Sequence, residues 1–222
     1  MKNKIPLTYP KIPDTTGCEL KKCVAYEKYD GTNLHWTFKT STWVSFGTRR
    51  SEYPYTQKGF DDFAREHPGL EQAVQLFDPD AALQECMFHN YSGLNVTVFT
   101  EYGGPQSFAG QHVPGDTMSH VIIDVMKGKR LLKPDEFIDL FGAGEWNVKY
   151  GFDKFNVAKL IYMGKYSGQL VEDIRRGKYQ VKEGAIIKGL IGSQVYMAKV
   201  KTNAYMERLK NEFKDNWKDY WE

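Results

Sequence analysis

The stretch VAYEKYDGTNLHW places Lys28 directly after Glu27 and two residues before an Asp30-Gly31 turn. A lysine attacks as a nucleophile only when its amine is neutral. At its ordinary pKa of about 10.4, about one lysine in a few thousand is neutral at pH 7. Burial or neighbouring cations must therefore release the proton. Near the other end of the chain, AKVK sets Lys199 and Lys201 on alternate positions. On a strand both would point to one face. There they could supply positive field and hold a phosphate as charge builds on it. Glu183 opens EGAIIKG and offers the hard oxygen ligand that Mg²⁺ takes together with several waters. Glu27 and Asp30 act in the opposite sense on Lys28, so a metal ion matters more for its activation than its sequence neighbours do.

These charges recur at the ends of apolar strands. CVAYEKY, TNLHWTFKT and WVSFGTRR alternate as strands, and Arg49 and Arg50 end the third. Asp-Gly between alternating apolar runs predicts a hairpin joining the first two. Glu101 lies in LNVTVFTEYGG and Asp124 in HVIIDVMKG, with EGAIIKGL and QVYMAKVKT as two further strands. Helices are expected over 57–86, broken at Pro68-Gly69, then at KPDEFIDLFG and SGQLVEDIRRG. Over 203–221, Met206, Leu209, Phe213, Trp217 and Tyr220 form one apolar stripe and predict a C-terminal amphipathic helix. Together these elements predict an α+β fold of antiparallel strands with helices outside.

The 222 residues suffice for one large domain or two small ones, and at 41% hydrophobic and 14% aromatic they can fill a core. With 30 Lys and Arg against 28 Asp and Glu there is no global basic field, although a local basic patch is compatible with that balance. Cys18, Cys23 and Cys86 form no CxxC pair, which favours a reducing, intracellular (cytoplasmic) setting over a zinc module. The five histidines show no metal-ligand spacing. No secretory h-region and no membrane-spanning apolar run is read.

In this order the motifs resemble the covalent nucleotidyltransferase superfamily of DNA ligases, RNA ligases and mRNA capping enzymes. EKYDGTN is similar to motif I, TRRS to motif Ia, FTEYGG to motif III, VIIDV to motif IIIa, KEGAIIKG to motif IV and AKVK to motif V. The resemblance runs from about residue 24 to 202. The EKxDGTN form, with Asn33 five residues past the lysine, most resembles the phage RNA ligase 2 and RNA-editing ligase family. It implies an antiparallel-sheet, ATP-grasp-like ligase domain over 1–202 with the 203–222 helix packed on it; the short stretch after motif V departs from the superfamily in leaving room for one helix and not for the further C-terminal, OB-fold domain common there. It implies an ATP-dependent RNA ligase that self-adenylylates on Lys28, transfers AMP to an RNA 5′-phosphate and seals it to a 3′-hydroxyl; the sequence leaves the oligomeric state open, with a monomer as the expectation. ATP and Mg²⁺ or Mn²⁺ are the implied cofactors. Lys28, Lys199, Lys201 and Glu183 carry the chemistry, and Glu183 holds the metal. Glu27, Asn33, Arg50, Glu101 and Ile123 bind the nucleotide, with Glu101 accepting from a ribose hydroxyl. Arg50 is preferred to Arg49 because Ser51 follows it. Ile123 stands where relatives often carry an aromatic that stacks on adenine, and Asp124 either bonds backbone or positions a lysine. The competing readings are a DNA ligase, a GTP-using capping-type enzyme, and a nucleotide-binding module without catalysis.

Overall fold

The computed structural model describes residues 9–77, 81–141 and 156–220. The chain divides into two compact units. The first contains Tyr9, Thr32–Gln106 and His112–Val157. The second contains Lys11–Gly31, Ser107–Gln111 and 158–220.

The first unit is built on a six-stranded antiparallel sheet of β2 (Thr32–Lys39), β3 (Thr42–Thr48), β4 (Tyr53–Pro54), β5 (Val96–Gly103), β6 (Ser119–Lys127) and β7 (Arg130–Leu131), in the order β4-β3-β2-β5-β6-β7. Period-2 alternation on β2 sends Leu34, Trp36 and Phe38 into the core, where all are fully buried. Helix α1 (Gln57–Glu66) is capped by Thr56, whose Oγ1 accepts from the Gly59 N–H at 3.3 Å. It packs Phe63 against Phe46, while Phe77, following α2 (Glu71–Leu76), stacks on Trp36 at 3.6 Å. Helices α3 (Ala81–Tyr91) and α4 (Pro134–Phe141) complete this unit. The opposite face of β2 carries Asn33 and His35.

The second unit is a four-stranded antiparallel sheet of β1 (Lys22–Lys28), β8 (Leu160–Lys165), β9 (Gly184–Ile191) and β10 (Gln194–Lys201), ordered β10-β9-β1-β8. One face packs on α5 (Gly168–Arg175) through Cys23, Ala25, Ala185, Ile187 and Val200 against Leu170, Val171 and Ile174. The other face carries Tyr26, Lys28, Lys188, Lys199 and Lys201 by the same alternation.

The α+β antiparallel expectation holds. The hairpin does not: β1 pairs with β8 and β9, whereas β2 pairs with β3 and β5, so Asp30-Gly31 joins strands of two different sheets. The local turn signal yields to those long-range pairings. Strand β8 carries no clear alternation, so the sequence pattern does not reveal it. The C-terminal α-helix is shorter than its stripe: α6 spans Asn203–Phe213, and Lys214, at φ +44°, turns the chain into a 3-10 segment over Lys214–Tyr220. The stripe still packs as one cluster, with Tyr205 and Leu209 buried against Phe108 and Met206, Phe213, Trp217 and Tyr220 around them. Among the described residues no helix is long and apolar enough to cross a membrane. The three cysteines are free thiols.

Candidate active site

In the second unit the pairing register aligns three residues on one rung: Lys28 opposite Gly184, and Gly184 opposite Lys201. Directly opposed residues of an antiparallel pair share a face, so both lysines project to the same side with a glycine between them. Glu183 immediately precedes that glycine. Its Oε2 accepts from Lys28 Nζ at 2.8 Å and its Oε1 from Lys201 Nζ at 3.1 Å. The carboxylate is 2% exposed, the Lys201 side chain 5% and the Lys28 side chain 19%, so the nucleophile candidate is the member open to solvent. Gly184 is required here, because a Cβ at that position would collide with the Val200 carbonyl oxygen.

A buried carboxylate shared by two ammonium groups leaves the trio with one excess positive charge. Burial pushes the Lys201 ammonium below the ordinary lysine range; Lys28 adds to the shift and Glu183 opposes it. The backbone fixes Glu183 in place: the Thr202 N–H donates to the Glu183 carbonyl at 2.9 Å, and Thr202 Oγ1 donates to the Lys182 carbonyl at 3.0 Å. The same hydroxyl caps α6 by accepting from the Tyr205 N–H at 3.2 Å. Lys199 lies two positions before Lys201 on β10, opposite Ile186. Lys188, absent from the expected site residues, is a buried lysine on this face with its Nζ 5.2 Å from the Tyr26 ring centroid. Its position inside an apolar run, EGAIIKG, was the signal available in the sequence.

Two acidic residues near Lys28 lie outside the Glu183 bridge. Glu27 alternates to the face opposite Lys28 and pairs with Ala185. Its side chain is therefore not part of the lysine cluster. Asp30 is an anchor: its Oδ2 accepts from the Ala109 N–H at 2.7 Å and the Tyr205 hydroxyl at 2.7 Å, and its Oδ1 from the Gly110 N–H at 2.9 Å.

The first unit carries its own polar cluster. Asn33 on β2 lies opposite Glu101 on β5, and Asn33 Nδ2 donates to the Thr100 carbonyl at 3.4 Å. The β5–β6 register shifts between Phe99 and Thr100, so Phe99 pairs with Asp124 and Thr100 with Ile122. Ile123 is thus the extra residue of a bulge, and Asp124 is turned onto the Glu101 face. Asp124 is buried and accepts from the Tyr9 hydroxyl at 2.9 Å. Burial raises the Tyr9 phenol well above its usual range, as do Asp124 and Glu101, and Arg49 opposes them. Arg49 therefore lies within electrostatic reach of this cluster, with its Nε buried, whereas Arg50 is exposed. Arg49, and not the Arg50 expected from the sequence, is the arginine turned toward this cluster. The turn that presents Arg49 is closed by Thr48 and Ser51, whose hydroxyls lie 2.8 Å apart.

Among the described residues no group of three or more His, Cys, Asp or Glu side chains could hold a metal ion. Hard divalent cations such as Mg²⁺ can be held through a single carboxylate plus waters and ligand phosphates, and Glu183 is the carboxylate of the lysine cluster.

No family model and no curated protein sequence matches the chain. Solved structures do. A lysine-to-alanine mutant of a Naegleria gruberi RNA ligase with ATP and Mn is 18% identical with a TM-score of 0.60, covering 91% of this chain and 58% of that one. An arginine-to-alanine mutant of that ligase, also with ATP and Mn, is 17% identical with a TM-score of 0.60, covering 92% and 59%. An archaeal ATP-dependent RNA ligase is 17% identical with a TM-score of 0.56, covering 92% and 51%. The chain thus spans only half to three fifths of the length of these ligases. At such identities the likeness is one of fold, and the chain has the antiparallel α+β fold of these RNA ligases.

Proposed function

We propose that the chain is a covalent nucleotidyltransferase, the adenylyltransferase part of an ATP-dependent RNA ligase. The observation that carries this reading is the buried Glu183 carboxylate holding Lys28 at 2.8 Å and Lys201 at 3.1 Å. A lysine destined only for solubility has no reason to share a desolvated carboxylate with a second lysine. The fold shared with ATP-dependent RNA ligases supports it. So does the EKYDGTN form of motif I, which is the reason to place the chain near the RNA ligase 2 and RNA-editing ligase family.

In this reading the neutral Lys28 Nζ attacks the α-phosphorus of ATP. A P–N bond forms, the bond from the α-phosphorus to the bridging oxygen breaks, and pyrophosphate leaves with the electron pair; one ammonium proton has gone to water beforehand, and the second leaves the new P–N nitrogen to water or the departing pyrophosphate. Lys201 and Lys199, on the same face, hold the α-phosphate oxygens as their charge grows. The positive charge of Lys201 also favours the neutral form of Lys28, and Glu183 opposes that until its own charge is matched. A divalent cation held by Glu183 and the nucleotide phosphates would supply that match. Glu101 and Asn33 are proposed to bind the ribose and phosphate side of the nucleotide, Arg49 its phosphates, and Ile123 a face of the base. The adenylate then passes to an RNA 5′-phosphate, and a 3′-hydroxyl displaces AMP. The assignment is proposed for residues 1–202, with the C-terminal segment as part of the same domain; its described residues cluster on Phe108.

The test is incubation with ATP labelled at the α-phosphate and Mg²⁺, followed by denaturation and electrophoresis. Wild type should retain the label, on Lys28 by peptide mass spectrometry, because a phosphoramidate is a covalent bond. Lys28→Ala and Lys28→Arg should not, since a guanidinium stays protonated. ATP should label far better than GTP. Wild-type labelling of Lys28→Ala would refute the assignment, and preferential labelling by GTP would move it to a capping-type enzyme.

A further inference from the structure

Tyr205 touches both arms of the lysine cluster. It is buried, third in helix α6 after the Thr202 cap. Its hydroxyl donates to Asp30 Oδ2 at 2.7 Å, two residues past Lys28. Its ring lies 4.8 Å from Lys201 Nζ, within cation–π range. Asp30 also accepts from the Ala109 and Gly110 N–H groups at 2.7 and 2.9 Å, so the Tyr205 hydroxyl is one of three donors that together hold it. The residue that receives these three donors is the aspartate of the motif carrying the nucleophile. The residue that caps α6 is the one following Lys201.

From this geometry we propose that Tyr205 is a positioning residue for both lysines. Its hydroxyl, through Asp30, fixes the turn that sets Lys28 against Glu183. Its ring face seats the Lys201 ammonium. The two contacts are separable, since Phe keeps the ring and loses the hydroxyl. This role rests on the adenylylation reading for its rate consequence, but not for the arrangement of the amines.

Two measurements on the full chain test it, with Tyr205→Phe, Tyr205→Leu and Asp30→Asn. The first is trace labelling of surface amines by an acylating reagent at one fixed pH without nucleotide, quantified for Lys28 and Lys201 by peptide mass spectrometry. Tyr205→Phe and Asp30→Asn should raise Lys28 labelling severalfold and leave Lys201 unchanged; Tyr205→Leu should raise both. The second is single-turnover adenylate formation against ATP concentration. Tyr205→Phe should lower the saturating rate about tenfold, the scale of one lost hydrogen bond to a charged group, with the half-saturating ATP concentration nearly unchanged. Tyr205→Phe that labels and reacts as wild type would overturn the positioning role, whatever Tyr205→Leu does to folding. Unchanged Lys201 labelling in a folded Tyr205→Leu would overturn the ring's part. If wild type forms no adduct, the functional reading fails, and the labelling pattern alone decides the role of Tyr205.

Discussion

Residue types and spacing alone brought Lys28, Glu183 and Lys201 under one chemical argument, and the structure sets the three within hydrogen-bond distance. What they could not give was which arginine the fold turns toward the Glu101 cluster. Arg49 and Arg50 are neighbours in a turn, and which one faces the sheet depends on how that turn closes through Thr48 and Ser51. Arg49→Ala should lower adenylate formation by about a hundredfold, the usual scale for losing one preorganised charge contact. Arg50→Ala should stay within about twofold, as an exposed charge away from such contacts does. Reversal of the two in the same single-turnover assay would return the role to Arg50. Tyr205 was equally hidden. In the sequence it lies beside an apolar stripe, and only the fold brings its hydroxyl to Asp30, across most of the chain.

At the scale of elements, alternation identified the strands that carry the chemistry but not their partners. Pairing is a long-range property, and a local Asp-Gly signal could not reveal that β1 and β2 enter different sheets. The β6 bulge at Ile123 was likewise invisible, although it decides which face Asp124 takes. The strand pair most sensitive to substitution is β9–β10 at Gly184. Gly184→Ala would drive a methyl group into the Val200 carbonyl oxygen, which is backbone and cannot rotate away. The strands must separate, and with them the Glu183 bridge. We expect adenylate formation to fall by more than about a hundredfold and stability by about 1–3 kcal/mol, the range for overpacking. An alanine variant with normal melting and normal labelling would show that the rung has slack.

For the molecule as a whole, two imidazoles of the first unit weigh on the acid limb of stability, one buried (His35) and one half-buried (His120). His35 on β2 and His120 on β6 are both pushed down to about 4 by burial. His120 is further tied in by Thr100 Oγ1 at 3.1 Å and the Ala73 carbonyl at 2.7 Å. Between pH 6.5 and about 4 the unfolded chain binds protons that the folded rings refuse. Stability should therefore fall as pH drops through that window and be fully present above it, by up to about 3 kcal/mol per ring. Urea unfolding at pH 7.5, 6.0 and 4.5 measures this. His120→Gln should flatten the slope whatever it does to the absolute value, and an unchanged slope would remove His120 from the account. This burial was not legible in advance, since HVIIDV and NLHW read equally well with the histidine facing solvent.

The order β10-β9-β1-β8 also has a consequence in time. Strand β1, which carries Lys28, is synthesised well before either of its neighbours, both of which come from beyond residue 159. At translation rates of about 5–20 residues per second, β1 waits on the order of ten seconds with both edges unpaired. Throughout that interval its KCVAYEK backbone is available to any other strand, and the nascent chain has the first unit's sheet as its nearest wrong partner. Refolding in the test tube, where all strands are present at once, should therefore be cleaner than synthesis, and the yield of active protein in cells should rise when elongation is fast or when a chaperone holds the N-terminal segment.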